Sequence, residues 1–173
     1  MRVSQKIEIT PGSVVLNGEP VAVSETGGKM LVELYRRYAD NYPKFFKMDT
    51  LSRLGFIAAE LLLQKEEAGA VILANRSASI KNDTDYLATI TGDNYYPSPA
   101  IFVYTLPNIV TGEIAIRHHI QGETSFYILE NEQQLEQIIK STIANYQLPL
   151  LAGWCECSGN DTFNAKLQII CTN

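Results

Sequence analysis

The N-terminal segment alternates apolar and polar side chains in the way that strands do. Residues 5–10 alternate and are followed by Pro11-Gly12, and Asn17-Gly18 separates two further short apolar runs at 13–16 and 20–23. An Asn-Gly pair between short apolar runs is a strong signal for a tight hairpin turn. The sequence therefore predicts an N-terminal β-hairpin.

Helical spacing of apolar residues follows the hairpin. One predicted helix covers about 27–39, and a second runs from Met48 or Asp49 to Gln64. The Asp49 carboxylate is suited to cap the second helix, because it accepts the free backbone N–H groups of the first turn. The middle of that helix is nearly all apolar, which is typical of a helix buried on more than one side. The run GAVILA at 69–74 then has the character of a central strand.

The second half of the chain continues this alternation of helices and strands. The spacing predicts helices at 83–90, 108–119 and 131–146, and strands at 123–129, 148–157 and 163–171. A short polar turn joins the last two strands, so they must be antiparallel. Strands that alternate with helices imply one α/β domain over residues 1–173, with a mixed β-sheet flanked by helices.

Composition and charge narrow the classes of function. The chain carries a formal net charge of −5 and its basic residues are scattered, which argues against a nucleic-acid partner because phosphate binding needs a basic face. The N-terminus has no apolar core typical of a signal peptide, and the longest apolar stretch, 55–63, is too short to cross a bilayer. An odd count of three cysteines favours free thiols. We therefore expect a cytoplasmic protein without a membrane partner.

Two groups of residues are candidates for a metal site. Cys155 and Cys157 lie two apart on a predicted strand, where they share one face and fit a core as small apolar side chains. His118 and His119 are adjacent on a predicted helix and point about 100° apart, so they chelate one ion poorly. We therefore expect buried strand cysteines, histidines at the surface or its boundary, and no metal or other cofactor.

Three segments resemble the N-terminal half of a β-ketoacyl synthase. The first contains Met48 and Asp49 and runs into the apolar helix, and the second is the strand and loop at 71–79. The third and most specific segment contains Ser98, Pro99, Phe102, Leu106, Pro107, Asn108, Gly112 and Gly122. The resemblance covers about residues 45–157 and points to the divergent ketosynthase-like proteins of aryl-polyene and flexirubin-type pigment pathways.

The resemblance implies a fold and a division of labour. The family has a thiolase-like fold of two similar α/β halves, so this chain is expected to be one half with the C-terminal half absent. The N-terminal half of the family supplies a cysteine nucleophile, and the C-terminal half supplies two histidines that polarise the thioester. His118 and His119 precede the nucleophile position and do not correspond to those histidines.

The position of the family's cysteine holds no thiol in this chain. In the family the cysteine lies at the first turn of the helix that follows the Gly122-type glycine, where the helix N-terminus stabilises a thiolate. That position falls at Glu130-Asn131-Glu132, with Asn131 the closest match, and the two glutamates disfavour an anionic nucleophile. Asn131 is a good N-cap, and Gln134 completes a capping-box pattern. We expect a helix cap there rather than a catalytic group.

The helix predicted at 131–146 is apolar on one side and polar on the other. In the full-length family fold the similar helix lies between the two halves and is rich in small and apolar residues. A polar face therefore indicates a chain adapted to the absence of a covering half. A polar interface with another subunit is the alternative.

The leading hypothesis is a non-catalytic ketosynthase-like half-domain. It would assist fatty-acid or polyene-type chain elongation by binding a ketosynthase or an acyl carrier protein. One alternative is an enzyme with residual acyl-thioester chemistry, such as decarboxylation or hydrolysis, that uses Glu130, Asn131 or Glu132. Another alternative is a module that binds an acyl chain.

The resemblance also implies a surface for dimerisation. The family dimerises through the strand that precedes the nucleophile, here about 124–129. Thr124, Phe126 and Ile128 are therefore candidates for a dimer interface that extends the sheet across two chains. The expected assembly is a homodimer or a heterodimer with a ketosynthase.

Overall fold

The computed structural model describes residues 1–39, 41–92 and 94–171. Its helices and strands, in chain order, are β1 (Arg2–Thr10), β2 (Ser13–Leu16), β3 (Glu19–Pro20), α1 (Gly27–Tyr38), α2 (Thr50–Leu62), β4 (Ala70–Asn75), α3 (Ile80–Leu87), β5 (Ile90–Thr91), β6 (Asn94–Tyr95), α4 (Pro99–Phe102), α5 (Ile109–His118), β7 (Thr124–Ile128), α6 (Glu132–Thr142), β8 (Leu150–Gly159) and β9 (Thr162–Cys171). Short 3₁₀ helices lie between these elements at Pro43–Lys47, Val103–Thr105 and Ile143–Asn145.

Seven strands form one mixed sheet in the order β3-β2-β1-β9-β8-β4-β7. The strands β8, β4 and β7 run parallel to one another, and β9 is antiparallel to both of its neighbours, β8 and β1. The predicted α/β class, the mixed sheet with flanking helices and the N-terminal hairpin are confirmed.

The hairpin turn between β2 and β3 has the backbone that its sequence predicts. Asn17 and Gly18 both have positive φ angles, 55° and 89°, in a two-residue loop that joins Leu16 to Glu19. Two central residues with positive φ define the turn type whose twist matches the flanking strands, and Asn-Gly is its preferred sequence. The third strand is shorter than the predicted run at 20–23, since it ends at Pro20 and is followed by a backbone bond from the N–H of Val21 to the carbonyl of Val14 at 2.8 Å.

One face of the sheet is covered by α1, α2 and α5. The mostly apolar helix α2 lies in the centre of this layer, and the core that it helps to form includes Phe56, Ile57, Leu73, Val110 and Leu167. The Asp49 carboxylate accepts the backbone N–H of Ser52 at 2.9 Å, so the predicted cap of α2 is confirmed.

In the ranges that the structure describes, the other face carries one helix, α6. Its apolar stripe, Leu135, Ile139 and the following Ile143, packs on side chains of β4 and β8 that include Ile72 and Trp154. Its opposite side, Glu132, Gln133, Glu136, Gln137, Lys140 and Ser141, is exposed. The predicted wet face of this helix is confirmed.

Besides the shorter β3, the sequence-based scheme differs from the structure at two further places. The helix predicted at 83–90 begins at Ile80, because Ser79 and Asn82 bond to the carbonyls of Thr105 and Tyr104 and draw the chain into a turn earlier. The small hairpin of β5 and β6 was not predicted, since two-residue strands carry no periodic signal.

None of the helices in the described ranges is, by itself, long and apolar enough to span a membrane. The segments Pro99–Thr105 and Ile109–His118 satisfy the length and composition only when taken together, and they meet at a 92° bend.

Candidate functional site at the end of strand β7

The site predicted from the nucleophile position lies at a topological switch point of the sheet. The crossover from β4 to β7 passes over the face covered by α5, and the crossover from β7 to β8 passes over the opposite face through α6. The chain therefore leaves the carboxyl ends of β4 and β7 toward opposite faces. Open α/β sheets bind ligands at such crevices. Asn131 lies at this crevice, directly after β7.

Asn131 acts as the cap of α6. Its Oδ1 accepts the backbone N–H of Gln134 at 3.1 Å, and Oε1 of Gln134 accepts the backbone N–H of Glu130 at 2.9 Å. The predicted N-cap is confirmed. In a capping box the side chain of the third helical residue bonds to the backbone N–H of the cap residue. Here the Gln134 side chain bonds instead to the N–H of Glu130, the residue before the cap, so the arrangement is a variant of the capping box. Asn131 is exposed, so its side chain completes the helix end in contact with solvent.

The two glutamates beside Asn131 are also exposed. Glu132 pairs with Lys166 on β9, with 3.1 Å between Oε1 and Nζ. Carboxylates in solvent next to a helix N-terminus are favourably placed, but they oppose the formation of a nearby anionic nucleophile. The arrangement is that of a solvated helix terminus.

Glu156 adds a carboxylate that the sequence did not reveal as part of this site. Its Oε2 accepts the backbone N–H of Arg76 at 2.9 Å, and its Oε1 accepts a hydrogen bond from the Ser77 hydroxyl. Glu156 thus joins the carboxyl end of β8 to the loop that follows β4. No local motif in the sequence pointed to this contact, because 79 positions separate Ser77 from Glu156.

The loop after β4 is held in an unusual conformation by a buried amide. Ala78 has a φ of 51°, which costs a residue with a Cβ about 1–2 kcal/mol. Asn75 is fully buried and spans this turn, because its side chain both donates to the Ala78 carbonyl and accepts from the Ala78 N–H, each at 2.9 Å. This clamp fixes the position of Ser77 beside Glu156.

A shallow groove of about 200 Å³ lies between α6 and the outer strands β1 and β9. Five of the eleven residues that line it are charged, among them Lys6, Glu8, Glu136 and Lys166, and Trp154 and Leu135 also line it. An acyl chain requires walls that are mainly apolar. This groove does not provide them.

The cysteines are buried on β8, as predicted. Cys155 is completely buried and Cys157 nearly so, on the face that packs against α2. Burial raises the pKa of Cys157 to about 11 and places the pKa of Cys155 well above its usual value. Both groups are therefore protonated thiols near neutral pH. The residues that the structure describes include no cluster of three His, Cys, Asp or Glu side chains arranged to hold a metal ion.

The two histidines lie at the far end of β7 from Asn131. They end helix α5, which precedes β7, and His119 takes the left-handed conformation with a φ of 56° at the helix C-cap. Nε2 of His118 lies 3.1 Å from Oε1 of the buried Glu60, without hydrogen-bond alignment. His118 thus lies beside the ion pair of Glu60 and Arg117, at the boundary position predicted for it.

Three of the motif residues of the family resemblance, Met48, Ser98 and Gly122, have structural functions in this chain. Met48 is buried beside the Asp49 cap, and Ser98 caps the short helix α4 by accepting the N–H of Ile101 at 3.4 Å. A Cβ on Gly122 would lie 2.1 Å from the carbonyl oxygen of Gly69, so only glycine allows β7 to begin this close to β4. A Cβ on Gly112 would contact no other group within 4 Å.

The predicted dimer strand β7 is an edge strand, and within the described residues it pairs only with β4. The carbonyl of Glu123 and the N–H of Leu129 bond to β4, at 2.8 Å each. Alternate residues of a parallel strand direct both backbone groups to the same side. The backbone groups of Thr124, Phe126 and Ile128 therefore point to the free edge, where a further strand can add.

Comparisons with known proteins identify the fold. No protein-family model matches the chain, and no curated protein matches it. A solved structure described as a ketosynthase (ApeO) in complex with its chain length factor (ApeC), from Xenorhabdus doucetiae, is similar with a TM-score of 0.68 and 13% sequence identity. The alignment covers 99% of this chain and 79% of the matched chain. This chain therefore has a ketosynthase-like fold.

Proposed function

We propose that this chain is a non-catalytic, ketosynthase-like subunit that pairs with a ketosynthase during acyl-chain elongation. One observation carries the proposal: the position that holds the nucleophile in the family is here a solvated helix cap built from Asn131 and Gln134. A thiolate at that helix end would need a cysteine, and residues 129–134 contain none.

The free edge of β7 supports pairing as the mode of action. Its outward backbone groups lie at Thr124, Phe126 and Ile128, and Ile128 exposes 59% of its surface. Exposed edge strands are sites for the addition of another strand unless charge, proline or a bulge protects them. β7 (TSFYI) contains neither charge nor proline. The matched structure, a ketosynthase in complex with its chain length factor, favours a ketosynthase as the partner.

The exposure of the candidate site weighs against the alternatives. Thioester chemistry by Glu130, Asn131 or Glu132 requires side chains shielded from water, and all three are exposed. An acyl-binding module requires an apolar pocket, and five of the eleven residues that line the groove beside α6 are charged.

The segment around the exposed Lys47 supports a carrier protein as a second contact. The segment 36–53 holds five cationic and two anionic residues, whereas the whole chain holds 14 and 19. Within it Lys47 is exposed, and next to it Phe46 exposes 49% of its surface. The phosphodiester that links an acyl chain to its carrier protein is anionic, so the exposed Lys47 is electrostatically suited to contact it.

Co-purification with a ketosynthase tests the pairing. The chain is co-expressed with the ketosynthase encoded nearest to it in its genome, and the complex is isolated through a tag on the ketosynthase. We expect a stoichiometric complex. We also expect the chain alone to release no CO₂ from malonyl thioesters in the presence of an acyl thioester. Condensation by the isolated chain would overturn the proposal.

Titration with a carrier protein tests the second contact separately. Lys47→Glu reverses the charge of the basic segment, and Lys140→Glu makes the same change on the exposed face of α6. We expect the first variant to bind the acylated carrier protein more weakly than the second. Equal binding by both variants would exclude the segment 36–53 as the docking surface.

A further inference from the structure

We propose that two packed pieces of the chain, residues 79–88 and 98–106, form a cover that opens as a unit and uncovers the thiol of Cys157, with Asn82 as its latch. The cover contains α3, α4 and the 3₁₀ turn Val103–Thr105. The inference concerns the isolated chain and does not depend on the pairing proposed above.

The cover buries few apolar side chains. Among its residues Tyr104 is the one member of the main core, and its other buried residues, Ser79 and Asn82, are polar. Five of its large apolar side chains are instead at least 45% exposed: Ile80, Leu87, Phe102, Val103 and Leu106. Burial of apolar surface is the main source of stability, so the cover gains little of it by closing. Segments of this kind open at a lower free energy than the whole chain.

Contacts within the cover join its two pieces. The Ser79 hydroxyl donates to the carbonyl of Thr105 at 2.5 Å. The rings of Tyr86 on α3 and Phe102 on α4 lie 5.3 Å apart, centroid to centroid. These contacts survive when the cover moves as one body, so α3 and residues 98–106 are expected to open together.

The Asn82 amide ties the cover to the layer of α2. Its Nδ2 donates to Oδ2 of Asp49 at 2.5 Å and to the carbonyl of Tyr104 at 2.9 Å. Asp49 is also the cap of α2. Among the side chains that the structure describes, this is the one hydrogen bond from the cover to the helix layer beneath it. A hydrogen bond to a charged group stabilises more than a neutral one, so Asn82 is suited to hold the cover closed.

The ends of the cover are fixed by the sheet and by α5. Asn75 bonds to both backbone groups of Ala78, and Glu156 accepts a hydrogen bond from Ser77, so the turn before the cover remains attached to the sheet. After the cover, α5 begins at Ile109 and packs in the core. The opening is thereby confined to the chain between Ala78 and α5.

The Cys157 thiol lies close to the latch. Burial, with a smaller contribution from Asp49, raises the pKa of Cys157 to about 11, and Lys81 of α3 acts in the opposite direction. Charges influence a buried thiol in this way at short range. Cys155 lies under α2 instead, with its Sγ 4.0 Å from the carbonyl oxygen of Leu51. An open cover therefore exposes Cys157 and leaves Cys155 buried.

Native-state hydrogen exchange of the isolated wild-type chain tests the local opening. It is followed by mass spectrometry at increasing urea, under conditions in which the rates report opening equilibria. We expect the amides of α3 to exchange about tenfold faster, or more, than those of residues 55–62 in α2. Their rates should also depend less on urea, because local opening exposes less surface than unfolding. Equal rates and equal urea dependence in α3 and α2 would overturn the proposal.

Asn82→Ala and Asn131→Ala make the same change of residue in the cover and in the cap of α6. The first removes the latch and should raise the exchange rate of α3 about tenfold. The second weakens α6, which stays folded while the cover opens. It should therefore raise the exchange rate of α2 about fivefold and leave that of α3 unchanged. An Asn131→Ala variant that accelerates α3 and α2 equally, or an Asn82→Ala variant without effect on α3, would contradict the cover and its latch.

Alkylation of the wild-type thiols by iodoacetamide is a second readout, which decides even if Asn82→Ala does not fold. The rate of each cysteine is compared with that of the same cysteine in the unfolded chain. Cys171, which is partly exposed, should be the least protected, and the fully buried Cys155 the most. Cys157 should lie between them. Protection of Cys157 equal to that of Cys155 would show that no local opening uncovers it.

Discussion

Glu60 is a buried residue of helix α2. Burial is costly for a carboxylate that has no partner. Burial acts to raise the pKa of Glu60, but His118 and Arg117 beside it outweigh this effect and hold the pKa below its usual value. A carboxylate with a lowered pKa stabilises the fold above the pKa of the unfolded chain, about 4.3. That stabilisation is lost as the pH falls through the lower pKa of the folded state.

Acid unfolding of Glu60→Gln tests this residue. At neutral pH we expect the variant to have a lower free energy of unfolding than the wild type, because Arg117 loses its anionic partner. As the pH is lowered from about 5 to 3, the difference should shrink, since the wild-type carboxylate becomes protonated. Urea unfolding at several pH values measures it. A difference that stays constant over this range would contradict the role given to Glu60.

The two motif glycines have opposite expected sensitivities. Gly122→Ala would place a methyl group 2.1 Å from the Gly69 carbonyl oxygen, and the backbone there must shift. Forcing atoms into a packed site costs about 1–3 kcal/mol, so the melting temperature should fall by several degrees. Gly112→Ala, the matched control, should not lower it. Calorimetry measures the melting temperatures of both variants. An unchanged melting temperature of Gly122→Ala would contradict the steric reason for this glycine.

At the scale of elements, α6 depends on its cap. Asn131→Ala removes the acceptor for the Gln134 N–H and should cost about 1 kcal/mol, whereas Asn131→Ser retains an acceptor and should cost less. Thermal unfolding of both variants measures the difference. If alanine and serine destabilise the chain equally, the side chain does not act as a cap.

Helix α1 takes its N-terminal acceptor from the opposite end of the chain. Its N-cap residue, Thr26, makes no side-chain cap bond, and the N–H of Gly28 donates instead to Oδ1 of Asp161 in the turn between β8 and β9, at 3.2 Å. The Asp161 carboxylate also lies favourably toward the positive end of the helix.

Variants of Asp161 separate these two effects. Asp161→Ala should destabilise the fold by about 1 kcal/mol, since both the acceptor and the charge are lost. Asp161→Asn keeps an acceptor and loses the charge, so its free energy of unfolding should lie between those of the alanine variant and the wild type. Denaturant unfolding measures the series. Wild-type stability of the alanine variant would show that α1 needs no capping group from this turn.

The sequence predicted those elements whose determinants are local. The caps at Asp49 and Asn131 and the Asn17-Gly18 turn depend on neighbours within a few positions, so the pattern of residues was sufficient. The start of α3 was misplaced because it depends on Thr105, 26 positions away from Ser79. The contacts of Glu156 and Asp161 were missed for the same reason, since each joins residues far apart in the sequence.

At the scale of the whole molecule, the two sides of the sheet differ in character. The α6 side exposes polar residues, and the α5 side with the edge of β7 exposes Ile116 and Ile128. The resemblance to ketosynthases predicted a nucleophile position and an edge strand from motifs. It did not distinguish the two sides, because whether an apolar residue such as Ile116 is covered depends on tertiary packing.

Proline substitutions test the edge of β7. The N–H of Thr124 points to the free edge, so Thr124→Pro removes an outward donor and should leave the fold intact. Association with the ketosynthase should weaken. Ser125→Pro is the matched control, because its N–H points to β4 and its loss should destabilise the chain itself. Circular dichroism and binding together distinguish the two. Undiminished binding by Thr124→Pro would argue against strand addition at this edge.

Light scattering tests the central claim most directly. It measures the mass of the species that forms when the chain and its ketosynthase are purified together. A pairing subunit without its own nucleophile predicts a stoichiometric complex whose mass equals the sum of both components. A chain that elutes apart from the ketosynthase at its own mass of 19.3 kDa, when both are present at micromolar concentration, would contradict it.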